Sequence, residues 1–429
     1  MSNKSVGLMA MLGGTLTIGV LALVQVLGNE KQFQVPRGEA PATNVIWILV
    51  DTLRTDHLQT YGYDKHNTSP NIAAFSEHSV VFDNAFTHSP WTKPSVASLM
   101  TSRLPRELGI YDWTDGLDLS FLTLAEHLQA NGFHTQAHFS NVAFKRDETN
   151  FSQGFDVFDG FVLEKGQPHK MSSSREITDA GIRFINRQQH DRFFLWLHYF
   201  DPHRDYLPHK EFKFGKDPSD RYDGEIAFTD KHLGRLFDAL RDSGRLTDTV
   251  VILTSDHGEG LGQHGISRHT SALYDHQIHI PFIVYAPWMS PARRSEVVNA
   301  IDIAPTLLSL LNIPIPAEFG GKAIPTTDSG FSPEPNRTSY AETRRFADLR
   351  SVIHDGWKLI SDQKTGTVEL YNFIDDPEES KDWAEHDPER LASMTELLKA
   401  YTQAPQRAAS GKPLKEETVK ELKAQGYIE

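Results

Sequence analysis

The sequence predicts an α/β chain: a doubly wound sheet over residues 44–337, a small α+β subdomain after it, and an apolar span before it. Residues 44–50 and 249–254 are unbroken apolar runs rich in β-branched residues, the composition of strands buried on both faces. Helical periodicity alternates with such runs up to residue 313, which is the pattern of βα units. Beyond a Pro/Ser/Gly-rich stretch at 314–337 the runs become short and closely spaced, as in an antiparallel sheet.

With 429 residues the chain is long enough for one large domain and an appendage. Its formal charge of −14 argues against a nucleic-acid-binding surface, so an anionic substrate must be attracted by local groups. It has no cysteine, which excludes disulfides, thiolate chemistry and a lipid-modified cysteine anchor.

Residues 7–28 carry no charge over about one bilayer thickness and read as a transmembrane anchor. Lys4 and the amino terminus place residues 1–6 in the cytoplasm by the positive-inside rule, so the remainder is expected to be exported. In a bacterium that means the periplasmic side of the inner membrane. A cleaved signal peptide is the rival reading, although no A-x-A site is evident. Residues 29–43 read as a linker to a large folded domain at 44–337 and a C-terminal part at 338–429.

The run at 44–50 ends in Asp51, and ligands gather at the carboxyl ends of strands in open α/β sheets. Arg54, Asp56 and His57 follow, with mutual pairing and functional roles both open. A helix is expected near 71–78 and a strand at 80–82. Next comes Ser-Pro-Trp-Thr-Lys-Pro-Ser, in which Pro94 suits the first turn of a helix and puts Thr92 at its amino end. Taken alone, Thr92 is either a cap or a nucleophile.

A helix at 121–130 and a strand at 133–139 lead to Ser140 and Asn141. A helix at 175–189 precedes a strand at 193–199, which delivers Asp201 and His203 on one side of an extended backbone. A long helix at 222–241 precedes the run at 249–254, and that run enters Ser-Asp-His-Gly-Glu. Asp256 and His257 there are a compact pair of metal donors. Residues 262–269 form an irregular loop bearing His264 and His269. A strand at 281–285 follows, and then Asp302 as the expected N-cap of a helix at 303–311. Strands at 349–353, 357–360 and 368–371 and helices at 388–402 and 415–425 complete the chain.

Asp51, Thr92, Asp256 and His257 thus fall at the ends of three elements. Together with Asp-Thr-Leu-Arg-Thr-Asp-His-Leu at 51–58, Thr-Lys-Pro-Ser-Val-Ala-Ser at 92–98, Asp-Pro-His at 201–203 and Ser-Asp-His-Gly-Glu at 255–259, they give the chain a resemblance to the sulfatase family of the alkaline phosphatase superfamily. The resemblance implies an alkaline-phosphatase-like sandwich with a large mixed sheet and a small C-terminal subdomain. It implies a divalent metal held by Asp51, Asp256 and His257 that also contacts the nucleophile Thr92. It further implies that His203 and His269 contact the transferred group or hold a second metal. Lys93, Asn141 and His264 are the expected substrate contacts.

The chain departs from that family where Cys or Ser is converted to formylglycine in a C-x-P-x-R context: here the residues are Thr92 and Val96, which argues against formylglycine. The family's second Asp is Thr52, and its Gly-Lys-x-x-His segment is replaced by residues 139–142. An unmodified Thr resembles the phosphodiesterases and phosphoethanolamine transferases of the superfamily. The expected activity is hydrolysis of a sulfate or phosphate ester through a covalent Thr92 ester. A membrane-anchored phosphotransferase acting on an envelope lipid or glycan, and a pseudoenzyme that only binds, are the alternatives. One histidine among carboxylates favours zinc or manganese and leaves calcium open. Oligomeric state is not encoded in any motif.

Overall fold

The computed structural model describes residues 44–144, 149–160, 172–187, 190, 192–203, 205–327 and 330–409. The apolar span at 7–28, the linker at 29–43 and the helix expected at 415–425 lie outside them. Among the described residues no helix is long and apolar enough to cross a membrane.

An eight-stranded sheet is formed by β1 (Asn44–Val50), β2 (Val80–Phe86), β3 (His134–Phe139), β4 (Val157–Asp159), β5 (Phe193–Tyr199), β6 (Thr249–Ser255), β7 (His279–Tyr285) and β8 (Ala292–Asn299), in the order β4-β3-β5-β1-β6-β7-β2-β8. β7 runs antiparallel to both its neighbours and the other pairs are parallel, so the sheet is mixed. β1, β5 and β6 lie side by side at its centre, and every residue in them is buried, as their unbroken apolar composition requires. The register sets Val50 against Tyr199 on one side and Ser255 on the other. The residues that leave these strands, Asp51 and Asp256, therefore start from adjacent points on one sheet edge.

Helices cover the sheet close to where periodicity places them, at Pro70–Ser76, Leu124–Ala130, Ser174–Arg187, Pro218–Asp242 and Ile303–Leu310. Thr123 and Glu126 close the second of these with a reciprocal capping box. Asp302 does not cap as expected. Its carboxylate instead accepts from the N–H of Asn299 and Lys322 and forms a forked pair with Arg337, which links the segment before the second sheet to the eight-stranded one. β4 and β8 were not expected: the first is three residues long, and the second opens Ala-Arg-Arg-Ser-Glu and is only partly covered along the sheet edge.

Two short strands, β9 (Thr326–Thr327) and β10 (Gly330–Phe331), pair in the Pro/Ser/Gly-rich stretch. The second sheet is antiparallel, with β11 (Ser339–Thr343), β12 (Leu349–His354), β13 (Trp357–Asp362) and β14 (Val368–Asn372) in chain order, and the helix Pro388–Gln403 packs on it through Met394, Leu398 and Tyr401. Its other face shares a core with Phe86, Leu273 and Ile278 of the first domain.

A buried ion cluster joins the two parts. Lys358 of β13 is fully buried between Asp275, just ahead of β7, and Glu379, 2.5 Å away. Glu379 also accepts from the N–H of Asp275 at 2.7 Å. Burial pushes the Glu379 carboxyl up to about 7 against the pull of Lys358. Removing the lysine leaves two carboxylates facing each other in a dry interior. Lys358→Met is expected to lower unfolding stability by about 3–5 kcal/mol, and adding Glu379→Gln should recover part of that loss. Urea denaturation of the single and double variants measures both.

Candidate active site

Asp51, Asp256 and His257 are each 0% exposed, and a carboxylate oxygen of each Asp and a ring nitrogen of the histidine lie within 4.8 Å of one another. Each carboxylate uses one oxygen for the framework. Asp51 Oδ2 accepts from Asn141 Nδ2 at 2.7 Å, and Asp256 Oδ1 accepts from the N–H of His257 at 3.0 Å and of Thr52 at 3.3 Å. Asp51 Oδ1 and Asp256 Oδ2 are buried without a hydrogen-bond partner.

His257 completes the pattern. Its Nδ1–H donates to the carbonyl of Gly258 at 2.9 Å, which leaves the lone pair of Nε2 directed at Asp256 Oδ2 (3.4 Å) and Asp51 Oδ1 (3.6 Å). Burial lowers the imidazole pKa to about 4, so the ring is neutral at pH 7, and burial with the facing Asp256 raises Asp51 well above the usual carboxylate range. Three donor atoms thus converge, and without a cation the raised Asp51 carboxyl favours keeping a proton. A divalent cation is the group that satisfies all three, and the donor set fits one. Gly258 is required by close approach, since a Cβ there would lie 2.1 Å from the carbonyl oxygen of His276.

Thr92 is the first residue of the helix Thr92–Thr101, as Pro94 predicts. Ser95, one turn on, donates to the carbonyl of Asp256 at 2.5 Å and bonds Thr87 at 2.6 Å, which ties the helix start to the end of β6. Thr92 Oγ1 consequently stands 3.3 Å from His257 Nε2. His269 and His203 extend the row, their rings 4.9 Å apart, with His269 4.6 Å from His257. His203 stacks on Phe200 at 4.4 Å.

Three expected substrate contacts point elsewhere. Lys93 is 1% exposed and its Nζ donates to the carbonyls of Trp113 and Asp115 at 2.5 and 2.9 Å, so it anchors the loop around Trp113. Asn141 donates to Asp51 and accepts from the N–H of Ala143, so it orients a carboxylate. His264 lies on the surface, stacked on Tyr274 at 3.9 Å and bonded to the carbonyl of Glu378. A second metal through Asp201 is likewise disfavoured, because its carboxylate accepts from the N–H groups of Ser173 and Ser174 at a helix start. Another donor group, His66, Asp220 and Asp223, is already spent: Asp223 bonds His57 and Tyr63, and Asp220 pairs with Lys65. Arg54 and Asp56 pair with each other through two bonds of 2.8 and 2.6 Å.

Two residues were passed over. Glu259, 0% exposed, accepts from His269 Nδ1 at 3.1 Å. Its place two residues after His257, at a buried strand end, was the available signal. His198, 0% exposed on β5, has its Nε2 3.7 Å from Asp51 Oδ2.

The family model described as sulfatase matches residues 43–313, and that of the N-sulphoglucosamine sulphohydrolase C-terminal region matches residues 262–406. The chain belongs to the sulfatase family. As a sulfatase-family chain it is 27% identical over 340 residues to the uncharacterized sulfatase YdeN of Escherichia coli (strain K12), with 64% of this chain and 60% of the relative covered. It is 26% identical over 424 residues to human iduronate 2-sulfatase, covering 71% and 75%. The chain therefore spans less than two thirds of YdeN and about three quarters of the human relative. Its fold matches that of BT4656 in complex with its substrate D-glucosamine-2-N,6-O-disulfate, with a TM-score of 0.73 at 17% identity over 85% of this chain and 99% of that one. Ps i-CgsB in complex with k-i-k-neocarrahexaose gives 0.71 at 19%, covering 90% and 98%.

The facing lone pairs generate a stability prediction with two signs. After chelation, Asp256→Asn should melt higher than the parent, because it removes one of two apposed carboxylates. Added Zn²⁺ or Mn²⁺ at 100 times its Kd should stabilise the parent by about 2.7 kcal/mol and the variant far less. Calorimetry with and without metal reads both.

Proposed function

We propose that the chain is a metal-dependent hydrolase of sulfate esters carried on a saccharide, acting through a covalent ester of Thr92. The observation that carries this reading is the 3.3 Å approach of Thr92 Oγ1 to the same histidine nitrogen on which Asp51 and Asp256 converge. Family membership supports sulfate as the transferred group, and the sugar ligands named for the two structural neighbours support a saccharide carrier.

A threonine hydroxyl is a weak nucleophile at neutral pH. A divalent cation on Asp51, Asp256 and His257 would supply the missing acidity; zinc lowers the pKa of bound water from about 15.7 to about 7, on the order of 12 kcal/mol. Zinc or manganese suits one imidazole among carboxylates better than calcium does. The rest is the work of the chain. Ser95 and the helix start hold Thr92 Oγ1 in place, and Asn141 fixes the orientation of Asp51. Oγ1, its proton released to solvent, attacks sulfur as the bond to the leaving oxygen breaks, and water then attacks the same sulfur, which frees sulfate and restores the Thr92 hydroxyl. Glu259, by holding the Nδ1–H of His269, leaves Nε2 of that ring as the acid–base atom: as imidazolium it gives its Nε2 proton to the leaving oxygen, and it takes one back from the attacking water. His203, packed on Phe200, lies next to it to stabilise charge.

One observation favours a phosphoryl substrate: Thr at 92 and Val at 96 where formylglycine formation needs Cys or Ser and Arg. An exported, membrane-anchored phosphotransferase is that second reading, and the apolar run at 7–28 supports the anchor and the export. Parallel assays on a sulfate ester, a phosphodiester and a phosphonate monoester, each with and without added alcohol, separate the two. Products that do not depend on the alcohol fit hydrolysis. Thr92→Ala is expected to abolish turnover and Thr92→Ser to retain part of it. Glu259→Gln should lower kcat by about 10- to 100-fold with a smaller change in KM. Full activity of the Ala variant would eliminate Thr92 as the nucleophile.

A further inference from the structure

The turn at residues 344–348, between β11 and β12, is fixed to both sides of the candidate site. Thr343, the last residue of β11, donates its hydroxyl to the carbonyl of Thr270 at 2.6 Å, next to His269. Two residues on, the guanidinium carbon of Arg345 lies 5.4 Å from the ring centre of Trp91 and 5.2 Å from that of Trp113. Trp91 directly precedes Thr92, and the Trp113 carbonyl is the one that Lys93 clamps. A turn of the C-terminal subdomain is thereby braced against the neighbours of both the nucleophile and His269.

Phe346 stands at the tip of this turn and is 58% exposed, the one large aromatic so exposed among the described residues. Arg345 lies over its ring at 4.6 Å. The Arg345 guanidinium thus lies between this ring and the indoles of Trp91 and Trp113, so Phe346 presents apolar surface one side chain away from the residue that precedes Thr92. Polar groups border it. Asp112 bonds Arg345 at 3.3 Å and is largely exposed, and Arg344, packed over Tyr111 at 4.6 Å, donates to Gln406 at 2.8 Å. Arg345 is paired with Asp112, and Arg344 shares Glu342 (3.7 Å) with Arg350 (3.0 Å), which also pairs with Asp348, so each guanidinium of the turn has a carboxylate partner. A lipid tail would need continuous apolar surface, and a sulfated ring would need an unbalanced cation. What fits is an uncharged ring with an apolar C–H face and hydroxyls at its edge.

We propose that Phe346 is the stacking platform of a leaving-group subsite that takes an uncharged sugar ring next to the ring bearing the ester. The proposal rests on the saccharide-ester reading above. It explains why the second sheet contributes to the site, since its turn supplies the carrier-binding surface while the first domain supplies the chemistry.

The test compares the full-length parent, Phe346→Ala and Phe346→Trp, each checked for an unchanged melting profile. The substrates are N-acetylglucosamine 6-sulfate and the 6-sulfate of N,N′-diacetylchitobiose, which adds one uncharged ring. The parent should prefer the disaccharide in kcat/KM by about fivefold; the Ala variant should lose that preference, chiefly through KM, and the Trp variant should keep it. A preference that survives in Phe346→Ala, or its absence from the parent, overturns the proposal. Binding of unsulfated N,N′-diacetylchitobiose, followed by tryptophan fluorescence, needs no turnover. Binding that Phe346→Ala abolishes, in a parent that cleaves neither ester, upholds the subsite while the hydrolase reading fails. Turnover of both esters with no Phe346-dependent binding or preference does the reverse.

Discussion

The structure turns on the convergence of Asp51 Oδ1, Asp256 Oδ2 and His257 Nε2 on fully buried residues, with the Thr92 hydroxyl 3.3 Å from the imidazole nitrogen. Left alone, such an arrangement opposes folding, because burying one unpaired carboxylate is already costly and apposing two is worse. The surrounding framework enforces it nevertheless. Parallel register of β1 and β6 fixes the two strand ends, Asn141 and the backbone hold the other carboxylate oxygens, and Gly258 lets its chain pass close to His276. Energy stored in this way would be recovered on binding a cation, as in a metal site kept ready. Thr92 belongs to the same arrangement because Ser95 ties its helix to Asp256.

The elements that place these groups were legible because their physics is local. Runs such as 44–50 and 249–254 are so uniformly apolar that only a strand covered on both faces accommodates them, and an acidic residue after such a run must end at the sheet edge. Pro94 announces the helix behind Thr92. The edge strand β8 was hidden for the opposite reason, since Arg293, Arg294, Ser295 and Glu296 give it no buried periodicity.

Side-chain direction was the less legible part. Lys93 follows Thr92 and Asn141 follows a strand end, yet the first reaches back to the carbonyls of Trp113 and Asp115 and the second reaches Asp51. Both are polar groups buried deeply enough that fixed partners in the chain claim them. His264 shares its loop with His269 but adopts a left-handed backbone with φ of 51° and turns to Tyr274 and Glu378. Glu259 was visible as a residue but not as a partner, because its contact with His269 depends on the loop folding back toward β6. The C-terminal sheet appeared in sequence as an appendage. In the structure Lys358, through Asp275, and Arg337, through Asp302, tie it to the first sheet, and its turn at 344–348 packs on Trp91, the residue before Thr92.

The central claim is that Thr92, without conversion to another residue, carries the transferred group. Rapid acid quenching of the metal-loaded protein during turnover, followed by mass analysis of the peptide that contains Thr92, tests it most directly. The account predicts unmodified threonine in the resting protein and, during turnover, a mass increase of one sulfuryl or phosphoryl group on Thr92. An aldehyde at position 92, or an adduct on any other residue, would contradict it.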